Sequence, residues 1–483
     1  MIRATTFTGR HVAVFGLGIS GLPTVASLRA GGARVSAWDD NEKSRAAAVA
    51  AGVPVVDLQA ADWSQFSSLI LAPGVPLTHP IPHWTVAKAR AAGVEIIGDI
   101  EIFARERAAS APMAPFIAIT GTNGKSTTTA LIAHLLRHLG CDVQMGGNIG
   151  TAALALEPPG GGRFHILELS SFQIDLTPTL LPTVGVLLNV TPDHIDRHGT
   201  VEAYAAVKER LIAGAEAKVV GIDDAITRDA AERMGSSRAL YPFTTGKGAA
   251  IVPWLYAIGT TLFVHEHHGT HASSTEIATL EQAATLRGRH NVQNALAALT
   301  AIRALQDRLD ASGSAITVWR PGELAAGLLT FPGLPHRMED VGSVGRIRYV
   351  NDSKATNADS TDKALAAFGR DIYWILGGKP KDGGIEELRG HFPGIARAYL
   401  IGAASDQFAA TLDGHVPYER SATLDAALIA ATRDAGAHEG GIPVVLLSPA
   451  CASYDQFRSF EHRGDEFRAL VSKLPGYRPK AAP

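Results

Sequence analysis

Three consecutive α/β segments, each built on a mostly parallel sheet, are the architecture this sequence predicts. Three observations carry that reading. Short apolar strands alternate with helical stretches along the chain. Two of those strands run directly into glycine-rich turns that open helices, Gly16–Gly21 and Gly121–Ser126. Two small, proline-containing stretches, Ala108–Pro115 and Phe331–Pro335, divide the alternation into parts. A domain holds roughly 100–200 residues, so 483 residues suggest about three of them, spanning 1–110, 111–335 and 336–483.

Composition narrows the class. Apolar residues make up 46% and charged residues 19%, enough to build packed cores and too apolar for wholesale disorder. A net charge of −3 gives no reason to expect a nucleic-acid or anionic-membrane partner. The two cysteines, Cys141 and Cys451, stand far apart with no CxxC pattern, so neither a disulfide framework nor a structural zinc site is expected. No apolar run approaches the roughly 18 residues that cross a bilayer. Near its start the chain enters a strand, Val12–Phe15, and a glycine turn, which reads as fold and not as a signal peptide. A cytoplasmic protein is expected.

In the first segment, the strand Val12–Phe15 leads into Gly16-Leu17-Gly18-Ile19-Ser20-Gly21, a GxGxxG turn opening a helix. Glycines let the backbone approach a diphosphate, and the helix N-terminus offers free N–H groups and a favourable dipole. The next strand, Arg34–Trp38, ends at Asp39 and Asp40, which suit a ribose or a base. This pattern fits a nicotinamide dinucleotide, and equally any other diphosphate.

In the second segment, the strand Phe116–Thr120 leads into Gly121-Thr122-Asn123-Gly124-Lys125-Ser126-Thr127. Such a turn wraps phosphates with backbone N–H groups, neutralises their charge with Lys125 and holds Mg²⁺ with Ser126. It departs from GxxxxGK[ST] at one place, where Ile119 replaces the first glycine. Hydride transfer needs no such loop, so phosphate-transfer chemistry is the better expectation. Glu168 ends the strand Phe164–Leu169, and Asp193 and His194 follow the strand Val184–Val190. Ligands of open α/β sheets bind beyond the carboxyl ends of strands, where these groups could hold Mg²⁺ or water. Lys208, in the helical stretch Val201–Ala213, reads by pattern as a surface lysine. A hairpin is expected near Ile251–His265, and Gly288-Arg289-His290-Asn291 opens an Ala/Leu-rich helix.

The third segment has strands at Ile347–Val350, Ile372–Leu376, Ala398–Ile401 and Val444–Leu447. Polar turns follow three of them: Asn351–Asn357, Gly377–Lys381 and Ser448–Ser453, the last leading to Phe460. They predict one ligand-facing edge suited to anions.

Taken together, these motifs resemble the Mur ligase family, over nearly the whole chain. The phosphate turn Gly121–Ser126 has that family's form, in which the first glycine is missing. The strings Glu168–Gln173 (ELSSFQ), Asn351–Asn357 (NDSKATN) and Leu447–Ser453 (LSPACAS) resemble the members that add glutamate. The resemblance implies a Rossmann-like N-terminal domain, a central P-loop ATPase domain with a mostly parallel sheet, and a C-terminal Rossmann-like α/β domain. These would bind, in order, the UDP end of a precursor, ATP and the incoming amino acid.

What else follows rests on that resemblance. The enzyme would be a monomer using ATP and Mg²⁺ to join D-glutamate to UDP-N-acetylmuramoyl-L-alanine through an acyl phosphate. Residue types alone leave the handedness of glutamate open. Gly18, Ile19, Ser20 and Gly21 would meet the diphosphate, and Asp39 and Asp40 the uracil. Gly74, Asn148, Ser170 and His194 would contact the rest of the precursor. Gly121 to Thr127 would hold the ATP phosphates, with Asn291 and Asn294 near adenine and Arg337 and Asp352 facing the nucleotide. Ser126, Glu168, His194 and a carbamylated Lys208 would be the metal ligands. Lys354 and Thr356 would lie near the acyl centre. Lys381, Ser453 and Phe460 would form the amino-acid pocket, with Lys379 an equal candidate for its lysine.

Overall fold

Every strand of the first sheet is parallel, which places all its connecting turns at two opposite edges. In the computed structural model, residues 1–235, 239–246, 252, 254–268, 271–283, 285–380 and 384–480 are described. This sheet contains β1 (His11–Phe15), β2 (Arg34–Trp38), β3 (Ser68–Leu71) and β4 (Glu95–Ile97), in the order β2-β1-β3-β4. The chain leaves β1 for β2 on one side and returns to β3 on the other. The Gly16–Gly21 turn therefore sits at a topological switch point, where such sheets bind ligands.

The second sheet has nine strands in the order β13-β12-β11-β10-β9-β8-β5-β7-β6. They are β5 (Phe116–Thr120), β6 (Asp142–Gly147), β7 (Arg163–Glu168), β8 (Val184–Leu187), β9 (Ala217–Gly221), β10 (Leu240–Thr244), β11 (Leu255–Ile258), β12 (Thr261–His268) and β13 (His271–Thr279). From β6 across to β11 the pairs are parallel, and β12 and β13 add an antiparallel edge that includes the expected hairpin. All five residues of β5 are buried, as a central strand covered on both faces requires. The chain crosses from β5 to β6, returns through β7, and goes to β8 on the other side, so a second switch point lies at the end of β5.

Both sheets belong to one compact unit, Met1–Phe331, and Pro332–Pro483 forms the other. The reason lies in the connecting helix Asp99–Ser110. It takes in Ala108–Ser110, which the sequence reading assigned to a linker, and its Arg107 is buried. Arg107 Nε donates to the Ala114 carbonyl at 2.9 Å and Nη2 to Thr183 Oγ1 at 3.1 Å, fastening the chain as it enters the second sheet. Glu101 on the same helix accepts from the Thr179 backbone and hydroxyl at 3.0 and 2.7 Å. Phe103 packs edge-on against Phe116. Polar and apolar contacts thus run across the junction.

The sheet of Pro332–Pro483 has the order β18-β17-β16-β19-β15-β14-β20. Its strands are β14 (Glu339–Val344), β15 (Ile347–Asn351), β16 (Ile372–Gly377), β17 (Ile395–Ile401), β18 (Tyr418–Ala422), β19 (Val444–Leu447) and β20 (Tyr477–Pro479). β18 to β15 are parallel, and β14 and β20 close the sheet antiparallel. Because β19 inserts between β15 and β16, the turns after these strands share one edge. The backbone of Lys379 donates to Ala452 across it at 2.8 Å. No helix among the described residues is long and apolar enough to cross a membrane.

Candidate active site

The phosphate turn is shaped by its glycines. Gly121 has φ +153° and Gly124 φ +84°, a region L side chains avoid. A Cβ on Gly124 would stand 2.3 Å from Asn294 Oδ1. After Gly124 comes the helix Lys125–His138, with Ser126 and Thr127 buried in its first turn. The loop is tied down from the neighbouring strand: the Asn123 N–H donates to Asn189 Oδ1 at 2.9 Å, and Thr122 Oγ1 to the Thr191 carbonyl at 3.1 Å. Lys125 arches over the turn, donating from Nζ to the carbonyls of Gly121 at 3.0 Å and Thr122 at 2.7 Å. β8 stops at Leu187, short of the expected Val190. Just beyond that end, the side chain of Asn189 braces the phosphate loop.

Asn291 and Asn294 begin the 23-residue helix Arg289–Ala311. Asn294 Oδ1 accepts from Thr128 Oγ1 at 3.3 Å, and its Nδ2 donates to Asn291 Oδ1 at 3.0 Å. The two asparagines are thus fastened to the helix that carries Lys125.

Glu168 is the last residue of β7 and is buried. Its Oε1 accepts from Asn148 Nδ2 at 2.9 Å, whereas Oε2 is buried with no partner among the described residues. A buried carboxylate oxygen left unmatched is costly, so such an oxygen suits an external cation or donor. Ser170 caps the short helix Ser171–Asp175 in a reciprocal capping box with Gln173.

Lys208 overturns the surface-lysine expectation. Only 1% of it is exposed. On the helix Val201–Ala213 it shares a buried stripe with Tyr204, Leu211 and Ile212. Its Nζ donates to the Gly121 carbonyl at 2.8 Å and lies 4.4 Å from the centre of the Tyr204 ring. Burial, and then the charge of Lys125, push its pKa well below the ordinary lysine value, against a smaller pull from Asp193 and Glu168. The site thus disfavours the charged form of the amine at the phosphate turn.

His194 caps the helix Ile195–His198 with a left-handed backbone, φ +53°, held by its N–H donating to Asp193 Oδ1 at 2.9 Å. Its ring lies 5.0 Å from that of Phe172. Burial lowers its pKa, Asp193 opposes this, and the charges of Lys125 and Lys208 lower it further. The imidazole is therefore available as a neutral ligand. The ends of β5, β7 and β8 thus bring together Lys125, Ser126, Glu168, His194 and Lys208.

In the first sheet, Asp39 Oδ2 accepts from the Leu17 N–H at 2.8 Å, so this carboxylate braces the glycine turn itself. Asp40 is held by His83 Nε2 at 3.0 Å and by Trp84 Nε1. A Cβ on Gly21 would lie 1.8 Å from the Gly16 carbonyl oxygen, so only glycine closes the turn. Ile19 is 89% exposed at its tip, beside Gly18 and Ser20. Gly74 follows β3, one turn away.

In Pro332–Pro483, Asp352 is buried between Ser448 Oγ, which donates at 2.8 Å, and the Met338 N–H at 3.1 Å. Burial pushes its pKa up to about 7, opposed first by Ser448 and then by Arg337. The sign follows from proton linkage. Between about pH 4 and 7 the unfolded chain has lost this proton and the folded one retains it, so the group erodes stability as pH rises through that window. Asp352→Asn removes the erosion. Its melting temperature should exceed that of the wild type at pH 8, by the equivalent of a few kcal/mol at most, and the gap should close towards pH 4. A gap that does not change with pH would contradict the assignment.

Arg463 is fully buried there, donating from Nε to Ser353 Oγ at 2.9 Å and from Nη2 to the Ser353 carbonyl at 2.8 Å. The Lys354 N–H donates to the His336 carbonyl at 2.9 Å, and Lys354 Nζ lies 5.1 Å from the centre of the Phe460 ring. The Thr356 N–H donates to the Lys354 carbonyl, and Ser453 is buried after β19. Phe460 opens the helix Phe460–Ser472. Lys381 lies outside the described residues.

The chain is 55% identical over 487 residues to a UDP-N-acetylmuramoylalanine–D-glutamate ligase of Rhodopseudomonas palustris strain HaA2, with all of both chains covered. The chain belongs to the Mur ligase family. Three family models match it in chain order: the Mur ligase MurD-like N-terminal domain over residues 10–98, the Mur ligase middle domain over 119–302, and the Mur ligase glutamate ligase domain over 336–451. This Mur ligase is also 54% identical to a UDP-N-acetylmuramoylalanine–D-glutamate ligase of Brucella abortus strain 2308, with 99% of each chain covered. Solved structures share its three-domain fold at low identity. A UDP-N-acetylmuramate-alanine ligase of Thermotoga maritima is 18% identical with a TM-score of 0.56, covering 96% of this chain and 100% of its own. MurF of Acinetobacter baumannii is 16% identical with a TM-score of 0.57, covering 98% and 93%. As a Mur ligase, the chain is an ATP-dependent enzyme that forms amide bonds.

Sequence reading missed several residues that the site depends on. Tyr204 reads as an ordinary helix position and Asn189 as strand, and Arg463 draws no reading at all. The spacing of Tyr204, Lys208 and Leu211 is a buried-stripe signal that would have flagged Lys208. Nothing local distinguishes Arg463, because its partners at 353 and 451 are more than ten residues away along the chain.

Proposed function

We propose that this Mur ligase joins D-glutamate to UDP-N-acetylmuramoyl-L-alanine, converting ATP to ADP and phosphate. The observation that carries the reading is the meeting of a phosphate turn, a buried Glu168 oxygen with no partner among the described residues and a buried Lys208, in a chain 55% identical end to end to a D-glutamate ligase. The uridylated substrate would bind residues 1–110, through Gly18 to Gly21, Asp39, Asp40 and Gly74. ATP would bind residues 111–335, and glutamate 336–483, where Ser453, Phe460 and either Lys379 or Lys381 would line its pocket. The enzyme would act as a monomer in the cytoplasm on small molecules alone, with neither membrane nor nucleic acid.

In the first step a substrate carboxylate oxygen attacks the γ-phosphorus of ATP, the bond to the bridging oxygen breaks, and ADP leaves an acyl phosphate. In the second, the glutamate amine attacks the acyl carbon, loses a proton, and the carbon–oxygen bond to phosphate breaks. Both steps need placement and charge neutralisation more than covalent help from the protein. Lys125 and the N–H groups of residues 121–127 neutralise and orient the phosphates. Asn148, Ser170, His194 and Thr356 position the precursor, with Lys354 at the acyl centre. Asn291, Asn294, Arg337 and Asp352 hold the nucleoside end.

The groups beyond the ends of β5, β7 and β8 fit a divalent cation: Glu168 has an oxygen to give, the His194 pKa is lowered so that its imidazole can be a neutral ligand, and Ser126 follows Lys125. Burial disfavours the charged form of Lys208, and its unprotonated amine can take up CO₂ and release a proton, which leaves an anionic oxygen ligand. Ser126, Glu168, His194 and that carbamate would hold Mg²⁺, which would supply further positive charge at the triphosphate.

The test is phosphate release with UDP-N-acetylmuramoyl-L-alanine and ATP over a panel of D- and L-amino acids. D-glutamate alone should stimulate release. Comparable stimulation by L-glutamate, L-alanine or diaminopimelate would overturn the proposal.

A further inference from the structure

Arg197 lies on the helix Ile195–His198, directly after the His194 turn, yet its hydrogen bonds go to the first sheet's loops. Its Nη1 donates to the Gly74 carbonyl at 3.0 Å and its Nη2 to the Val75 carbonyl at 3.1 Å. The guanidinium lies 4.5 Å from the centre of the Phe172 ring, and His198 stacks on that ring at 5.4 Å. Nε is buried with no partner, and no carboxylate among the described residues pairs with this cation. A half-buried arginine that meets carbonyls and an aromatic face, with no carboxylate partner among the described residues, is fixed by geometry and not by an ion pair.

The surroundings give that geometry a use. The turn Ala72–Val75 leaves β3 beside the Gly16–Gly21 turn: the Ala72 N–H donates to the Phe15 carbonyl at 3.0 Å, and a Cβ on Gly16 would meet Ala72 Cβ at 2.5 Å. Phe172 follows Glu168 by four residues and lies against His194. One side chain therefore spans from the turn beside the diphosphate loop to the turn beside the metal-site candidates. We propose that Arg197 is a positioning residue that clamps the Gly74 turn to the His194 turn. The clamp sets the distance between the substrate's diphosphate and the carboxylate to be activated. This rests on the function proposed above, because only a substrate that reaches across both turns would sense the clamp.

Misplacement by about 1 Å can cost on the order of 10²-fold in rate. The experiment measures kcat and KM for all three substrates in Arg197→Ala and Arg197→Lys, together with melting temperature. In Arg197→Ala, kcat/KM for the uridylated substrate should fall about 10²-fold, while KM for ATP and for glutamate stay near wild type and the melting temperature holds. Arg197→Lys can still donate to both carbonyls and should recover part of the loss. An Arg197→Ala enzyme with wild-type kcat/KM overturns the clamp, as does one whose three KM values rise together with a lowered melting temperature. Wild-type enzyme that turns over without need of the uridylated substrate would instead remove the underlying function, and the clamp with it.

Discussion

Lys125→Ala should form amide bond at no more than about a thousandth of the wild-type rate, the largest loss expected from any single change in this enzyme. Two features of the site set that expectation. The backbone N–H groups of the turn carry only partial charges, so the lysine is the full cation that the loop itself brings to the phosphates. It also sits where the turn would hold them, over the carbonyls of Gly121 and Thr122. Removing it leaves the growing negative charge on the β- and γ-phosphates to be met by weaker dipoles. The fold should not suffer, because Gly121, Gly124 and the Asn123–Asn189 hydrogen bond hold the loop independently of Lys125. The check is phosphate release at saturating ATP, with melting temperature as control. A variant with near-normal turnover would mean that ATP is bound elsewhere.

The contrast between Lys125 and Lys208 shows which parts of the site a sequence exposes. Lys125 is legible because its neighbours in the chain are also its neighbours in space: strand, glycine turn and helix follow one another. The same holds for the Gly16–Gly21 turn and for the polar turn after β15. Lys208 is 83 residues from Lys125 in sequence, and only the folding of its helix across β8 and β5 brings its amine to the Gly121 carbonyl. Strand ends blur for a related reason. Leu188 and Val190 are buried and apolar, so they read as strand, but Asn189 between them turns to brace the phosphate loop. Ala108–Ser110 reads as linker because small residues carry no pattern, although the helix they close is held by Arg107. Alternation of strands and helices revealed the three sheets. The fastening of the first two into one unit depends on contacts such as Glu101 with Thr179, which have no local signature.

Lys208→Ala should be nearly inactive, by about 10²–10³-fold, and small carboxylic acids such as acetate should restore part of the activity. An ordinary lysine is neutral to the extent of roughly 0.03% at pH 7 and reacts slowly with CO₂. Burial and the nearby charge of Lys125 shift that balance at Lys208 towards the neutral, reactive amine. The same shift carries a stability sign. The unfolded chain holds this proton more tightly than the folded chain, so the unmodified lysine weakens the fold, and the penalty fades as pH rises towards the ordinary lysine value. A buried cation-forming group kept at such a cost, in a site that also holds a buried Glu168 oxygen with no partner among the described residues, makes sense if the amine becomes an anion. Two variants separate chemistry from packing. Lys208→Met keeps the stem that fills the space beside Tyr204 but offers no amine, so it should be as inactive as Lys208→Ala and more stable. Depleting bicarbonate should slow the wild type and leave both variants unchanged. Rescue of Lys208→Ala by acetate, with no effect of acetate on the wild type, would identify the missing group as a carboxylate. A fully active Lys208→Ala would make the buried amine a packing feature and remove it from the metal site.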